Sequence, residues 1–243
     1  MTDAQLAADI AAAAGRIALA IRESGLLSGA ALGAAGDRLA DDFILRALAV
    51  HRPDDGLLSE ETADTPERLG KERVWIVDPL DGTREYAEGR GDWAVHVALS
   101  AGGAPAAGAV ALPSRGIVLR SDTPPVPASS PGRLRMVVSR TRPPQIALKV
   151  AAALGAELVP MGSAGAKAAA VMLGEAELYL HAGGQHEWDN CAPVAVALAA
   201  GFVAVRLDGS GIAYNRADAR VDDLLIAHPA VADAAFAALA SQL

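Results

Sequence analysis

Cysteine is nearly missing: Cys191 is the only one in 243 residues. No internal disulfide can form, which fits a reducing, cytoplasmic setting. Aromatic residues are scarce too, at 4%, so a core must be built from aliphatic side chains. Basic residues are the minority charge, 21 Lys and Arg against 29 Asp and Glu, for a net −8 at pH 7. A surface that neutralises a phosphate backbone needs a basic stripe, so this balance argues against nucleic acid as a partner. It does not argue against an anionic small molecule, because bound divalent cations invert the field of an acidic cleft. Unbroken apolar runs are also lacking. Asp3 and Asp9 stand where a signal peptide carries positive charge and then an apolar stretch. Residues 93–114 are uncharged, but Gly102, Gly103 and Pro105 interrupt them, and Trp93, Val95, Val97 and Leu99 alternate as in a strand. The reading there is a hairpin, with no membrane segment.

What is present is a folding chain. Hydrophobic residues make up 52% and mean hydropathy is +0.26, much of it alanine, which excludes wholesale disorder. The length suits one large domain or two joined halves. Thr2 and Gln5 form a capping box for a first helix, in which Leu6, Ile10, Ala13, Ile17 and Ile21 recur until Gly25. A second helix is expected from about Arg38 to Val50, with Ala40, Phe43, Ile44 and Ala47 on one face. Strands are expected at Gly56–Ser59, Val74–Val77, Trp93–Leu99, Ala106–Leu112 and Ile117–Arg120. The Pro- and Ser-rich segment 121–132 reads as a boundary between halves 1–125 and 133–243. Beyond it the rhythm alternates: strand Leu134–Val138, helix Pro144–Leu154, strand Glu157–Pro160, helix Ala166–Leu173, strand Glu177–Leu180. A helix Asn190–Ala200, strands Phe202–Val205 and Leu224–Ala227, and a helix opened by Pro229 follow. The fold class is α/β, an α+β half followed by a layered α/β half.

The most informative segment is Val74-Trp75-Ile76-Val77-Asp78-Pro79-Leu80-Asp81-Gly82-Thr83. A buried strand delivers two carboxylates three positions apart onto a turn forced by Pro79 and Gly82. Hard cations such as Mg²⁺ take oxygen ligands, and a few carboxylates with a substrate phosphate suit them. Asp78, Asp81 and the Leu80 carbonyl can face one pocket. The N–H groups of Gly82 and Thr83 can cradle a phosphate oxygen at a helix start, and the Thr83 hydroxyl can orient a water.

Other carboxylates are ambiguous one at a time. Glu60-Glu61 ends an apolar strand, and adjacent carboxylates repel unless solvated or neutralised. A bare doublet reads as surface; this one gains weight from Asp78, one strand further on. Asp189 or Asn190, in Glu187-Trp188-Asp189-Asn190, reads as an N-cap, and so does Asp37 in Gly36-Asp37-Arg38. His96 reads as a satisfied structural histidine. His181 and His186 lack partners at zinc-ligand spacing, and Cys191 reads as a small buried residue.

Taken together and in order, Asp37, Glu60-Glu61, Asp78-Pro79-Leu80-Asp81-Gly82-Thr83 and Trp188-Asp189 resemble the signature of the inositol monophosphatase superfamily. Arg84-Glu85-Tyr86, Ser139-Arg140-Thr141-Arg142, Gly162-Ser163-Ala164-Gly165-Ala166-Lys167 and Glu187-Trp188-Asp189 make the likeness strongest to the CysQ-type 3′(2′),5′-bisphosphate nucleotidases, in an actinobacterial form that includes Ala182-Gly183-Gly184-Gln185. Two positions depart from the wider pattern. Ala34 stands where a hydroxyl residue is usual, and Trp188-Asp189-Asn190-Cys191-Ala192 replaces a W-D-x-A-A run.

The resemblance implies a layered αβαβα sandwich and a lithium-sensitive, Mg²⁺-dependent phosphatase of sulfur metabolism. It implies that Glu60, Asp78 and the Leu80 carbonyl hold one Mg²⁺, and that Asp78, Asp81 and Asp189 hold a second; a third is left open, as is a homodimer. Asp37 and Thr83, helped by Glu61, would accept the proton of the attacking water. Gly82, Thr83 and Asp189 would meet the substrate. Arg140 and Lys167 would meet a second phosphate, Ser139 and Ser163 would add hydrogen bonds, and Gln185 and Tyr214 would border ribose or base. The implied substrate is 3′-phosphoadenosine 5′-phosphate, and its sulfated precursor is a further candidate. Inositol monophosphate and fructose bisphosphate are the rivals. A binding protein without turnover is disfavoured by the complete carboxylate set. A carboxylate-pair glycosidase is disfavoured because more than two carboxylates cluster.

Overall fold

Thr2 accepts the Gln5 N–H at 3.2 Å while the Gln5 side chain accepts the Thr2 N–H at 3.1 Å, the reciprocal cap that opens α1 (Asp3–Glu23). The computed structural model describes residues 1–127 and 132–242. Of the expected boundary segment 121–132, residues 128–131 lie outside the described residues.

The second helix, α2 (Gly29–His51), begins well before the expected Arg38. Its first turns are rich in glycine, which reads locally as loop, yet two of those glycines are contact points. A Cβ at Gly33 would come within 2.8 Å of Thr83 Cγ2, and one at Gly36 within 2.8 Å of both Leu80 and Tyr86. Close approach of α2 to the turn after the second strand needs hydrogen at these positions. Packing therefore overrides poor helix propensity there. One expectation is corrected as a result: Asp37 is not an N-cap but lies inside α2, on its buried face.

The first sheet holds β1 (Gly56–Ser59), β2 (Arg73–Asp81), β3 (Ala94–Ala101), β4 (Ala104–Leu112) and β5 (Ile117–Arg120), in that spatial order. The β1–β2 pair is parallel and the rest antiparallel. A short helix, α3 (Thr83–Ala87), leaves the end of β2. The second half supplies β6 (Arg135–Ser139), α4 (Gln145–Leu154), β7 (Glu157–Met161), α5 (Ala164–Met172), β8 (Leu178–His186), α6 (Glu187–Ala199), β9 (Val203–Val205), β10 (Arg220–Ala227) and α7 (Pro229–Ala240). The second sheet runs β7-β6-β8-β10-β9, with β10 antiparallel to both its neighbours.

Period-2 alternation sorts the strand residues between layers. Trp75 and Val77 face α1 and α2, while Val74 and Ile76 face α5 and α6 in a core shared with Val137, Tyr179, Leu224 and Ile226 of the second sheet. Met136, Val138, Leu178 and Leu225 face away, onto α4 and α7. The order is the expected αβαβα. Alanine-rich helices fit between two sheets because small side chains allow close stacking, and each buried Val or Leu adds roughly 1.5–3 kcal/mol. Among the described residues only α1 is long and apolar enough to cross a membrane, and half of its apolar window is buried within the fold.

Candidate active site

At the end of β2 the regular ladder breaks. Asp78 is still paired with His96, but the register shifts before Asp81 meets Ala94. Pro79 has no N–H to give the ladder, and the Leu80 N–H folds back onto Asp78 Oδ1 at 3.0 Å. This local kink turns Asp78 and Asp81 to the same side. Asp189 arrives from the other half of the chain, and oxygen atoms of Asp78, Asp81 and Asp189 lie within 4.8 Å of one another. Asp189 is not the N-cap: His186 holds that position in α6, and Asp189 is the third helical residue, closing a capping box by accepting the His186 N–H at 2.6 Å. Glu60 joins through backbone pairing, its N–H donating to Val77 O at 3.2 Å just past β1.

Crowding of like charge marks these groups. Asp189 is pushed up to about 8, chiefly by burial and then by the charge of Asp81. Glu60, exposed at the rim of the cluster, is pushed up to about 7 by lost solvation on its inner side and then by the charge of Asp81. Asp78, buried, is held well above the ordinary carboxylate range by desolvation and then by Glu60. Asp37 stands at about 7, from burial and then Glu61. An all-oxygen set whose members repel one another near neutral pH is the donor chemistry of a hard divalent cation, so the residues fit the metal that the sequence implies.

Asp81 has a second set of partners. It accepts the Ser163 hydroxyl and the N–H groups of Gly165 and, at 3.0 Å, Ala164. Its Oδ2 is 3.4 Å from His96 Nε2, whose other ring nitrogen lies 3.0 Å from Trp188 O. Burial lowers the pKa of His96, which favours the neutral ring in this interior position.

Thr83 opens α3 after Gly82, which takes a left-handed φ of 93°. The Thr83 hydroxyl lies 3.2 Å from both Asp37 Oδ1 and Leu80 O. Glu61 is exposed and shares with Asp37 and Ala34 a neighbouring cavity of about 670 Å³.

A cavity of about 270 Å³ opens beside the acid cluster. Asp81, Gly82, Thr83 and Asp189 form one wall; Ser139, Arg140, Ser163, Lys167 and Gln185 belong to the other. Arg140 is held by Glu85 at 2.6 Å and Glu88 at 2.7 Å. The buried Lys167 ammonium donates to the carbonyls of Ser163 and, at 2.7 Å, Gly162, and sits 5.3 Å over the Tyr179 ring. Burial lowers its pKa against the opposing pull of Asp81.

Tyr214 is a correction: it does not line this cavity but is buried in the core. Its hydroxyl donates to Asn190 Oδ1 at 3.0 Å. Asn190 then donates to Gln185 at 3.2 Å, and Gln185 to the Tyr179 hydroxyl at 2.9 Å. Tyr214 thus braces the cavity wall from behind. Cys191 is a buried thiol whose pKa burial raises well above the usual value, in line with a packing role.

Several lining residues escaped the sequence reading as site residues: Arg84, Glu85, Arg142, Tyr179 and His181. Glu85 carried a readable signal, standing two positions after Thr83. A Cβ at Gly162 would lie 2.1 Å from Glu85 Cγ, so Gly162 exists to admit that side chain.

Residues 3–243 match the model of the Inositol monophosphatase family. The chain is 50% identical to the 3′-phosphoadenosine 5′-phosphate phosphatase of Mycobacterium leprae, over 96% of this chain and 91% of that protein. It is 32% identical to the 3′(2′),5′-bisphosphate nucleotidase CysQ of Escherichia coli, over 69% of this chain and 73% of that one. Its fold superposes with a TM-score of 0.81 on the crystal structure of CysQ from Bacteroides thetaiotaomicron, a bacterial member of the inositol monophosphatase family, at 24% identity over 93% of this chain and 96% of that one.

Proposed function

The chain belongs to the inositol monophosphatase family, and from that footing we propose that it is a Mg²⁺-dependent phosphatase removing the 3′-phosphate of 3′-phosphoadenosine 5′-phosphate to give AMP. The observation that carries the reading is the meeting of Asp78, Asp81 and Asp189 within 4.8 Å beside a cavity whose wall also carries Arg84, Arg140, Arg142 and Lys167. An acid cluster for cations next to basic side chains for anions is the chemistry that a bisphosphate asks for.

Glu60, Asp78 and the Leu80 carbonyl would hold one cation, and Asp78, Asp81 and Asp189 a second. When bound, such ions supply Lewis-acid stabilisation of phosphoryl oxygens and a water of lowered pKa. The protein's own part is proton handling and orientation. Asp37, whose pKa stands at about 7 in the metal-free protein, lies 3.2 Å from the Thr83 hydroxyl, where a carboxylate can accept the proton of an incoming water. Thr83 donates its hydroxyl hydrogen toward Asp37 and Leu80 O, which leaves its oxygen lone pairs to accept from an incoming water. Glu61 adds negative charge that raises the basicity of Asp37. Gly82 and Thr83 meet the reacting phosphate. Ser139, Arg140, Ser163, Lys167 and Gln185 orient the rest of the nucleotide. In this reading the half 1–125 supplies every metal ligand except Asp189, and the half 133–243 adds Asp189 and selects the substrate, in a cytoplasmic enzyme of sulfur metabolism.

The test is phosphate release from 3′-phosphoadenosine 5′-phosphate, inositol 1-phosphate and fructose 1,6-bisphosphate, each with Mg²⁺ and with chelator. The nucleotide should show the highest kcat/KM, and chelator should abolish its turnover. A preference for inositol phosphate would overturn the substrate while leaving the metal chemistry; full turnover in chelator would overturn the metal.

A further inference from the structure

Glu60 and Glu61 sit on a stretch of chain that has every electrostatic reason to leave. The strand β1 ends at Ser59, and beyond the Glu60 N–H bond to Val77 O the segment leaves the ladder. Glu60 feels the charge of Asp81 and Asp37, and Glu61 that of Asp37, and like charges at short range repel. The residues on either side of the pair are nonetheless pinned to one point. Ser59 Oγ donates to Asp41 Oδ1 at 2.6 Å, and Thr62 Oγ1 donates to Asp41 Oδ2 at 2.8 Å. Asp41 is 7% exposed and lies one helical turn beyond Asp37 on α2.

We propose that Asp41 is a positioning residue that clamps the Glu60-Glu61 turn against the acid cluster. It touches neither substrate nor cation and acts through Glu60 and Glu61. Hydroxyl donors to an ionised acceptor are the stronger class of hydrogen bond, and here one carboxylate closes both ends of the four-residue turn 59–62. Because Asp37 and Asp41 are four residues apart on one helix, they share a face. A single rigid element thereby sets the separation between the proton acceptor and the Glu60 carboxylate. The proposal rests on the metal reading only for its functional consequence.

Three readouts test it on Asp41→Ala, with Asp41→Asn as the conservative variant. In chelator, hydrogen exchange of the amides at 60–62 should speed up in Asp41→Ala, while those of the α2 interior stay as in the parent. In calorimetric titration with Mg²⁺ alone, Asp41→Ala should bind roughly tenfold more weakly, the scale on which partners behind metal ligands act. The Mg²⁺ concentration for half-maximal turnover should rise in step, while kcat at saturating Mg²⁺ stays within a few-fold. Asp41→Asn should fall between the two. Unchanged exchange at 60–62 overturns the clamp. Faster exchange with unchanged Mg²⁺ affinity overturns the positioning role. Should the parent bind no Mg²⁺ while exchange still responds, the clamp stands and the metal reading falls. If Asp41→Ala does not fold, Thr62→Val removes one donor only. It should move the same three quantities by about threefold, and no movement overturns the proposal.

Discussion

Thr83 donates its hydroxyl to Asp37 across 46 positions of chain, at 3.2 Å. The bond joins the interior of α2 to the first residue of α3, and it is possible because Gly33 and Gly36 let the helix come down onto that turn. Thr83→Ala and Asp37→Asn should each lower kcat by roughly 10²–10⁴-fold, the range for loss of a general base, with KM little changed. The double variant should be no worse than the poorer single one, since both remove one proton-handling unit. Steady-state kinetics at saturating Mg²⁺ provides the check, and full additivity would separate the two residues.

Asp81 serves the acid cluster and the start of α5 together. Asp81→Asn keeps the shape but loses a negative ligand and an acceptor facing Ser163 and Gly165. Turnover should fall by orders of magnitude, and the circular dichroism spectrum should be retained. Activity within a few-fold of the parent at saturating Mg²⁺ would refute the cation assignment.

The raised carboxylates make a pH prediction for the metal-free protein. Asp37 at about 7 and Asp189 at about 8 each start from an ordinary aspartate value of 3.8. Between pH 4 and pH 8 the folded chain therefore holds protons that the unfolded chain has released, and stability falls as pH rises through that window. Their contribution is fully present below pH 4. In chelator the thermal midpoint should drop from pH 5 to pH 8, and Mg²⁺ should raise it more at pH 8 than at pH 5, because binding needs the deprotonated ligands. Scanning calorimetry at four pH values decides it, and a midpoint in chelator that climbs with pH contradicts the cluster's electrostatics.

Lys167 tests substrate choice. Its ammonium already donates to two carbonyls of the Gly162–Ser163 turn, so Lys167→Ala removes that donor from both, leaving Ser163 O only the residue-167 N–H at 3.4 Å, and should cost about 1–3 kcal/mol of stability. The ratio of kcat/KM for 3′-phosphoadenosine 5′-phosphate to that for inositol 1-phosphate cancels such general damage. That ratio should fall at least tenfold if Lys167 meets the second phosphate. An unchanged ratio would leave Lys167 as a brace of the turn and no more.

Tyr214→Phe isolates the brace behind the cavity. Removing the hydroxyl leaves Asn190 Oδ1 without its donor, and stability should fall by about 1–3 kcal/mol with kcat preserved. A large loss in kcat would give Tyr214 back the direct role that its buried position denies it.

Elements with strong local signals, and chemistry borne on contiguous motifs, were legible along the chain. The capping box at Thr2 and Gln5, the β3–β4 hairpin, and the Asp78–Thr83 turn were readable because each rests on neighbours in sequence: a reciprocal cap, period-2 alternation, a proline that kinks a strand and a glycine that follows its end. The family likeness was readable for the same reason, as ordered short motifs. The remaining features depend on contacts between distant segments. Glycines in α2 looked like loop until Thr83 and Tyr86 packed against them. Asp37 looked like a cap until the helix was seen to begin nine residues earlier, after Ser28. Tyr214 looked like a cavity residue until the core enclosed it, and Asp41 carried no signal at all until Ser59 and Thr62 closed on its two oxygens. Burial and charge crowding, which raise Asp37 and Asp189 toward neutral pH, belong to no residue alone. They arise only when α2, the end of β2 and the start of α6 bring their carboxylates into one poorly solvated space, where each ionised group loses water and feels the others.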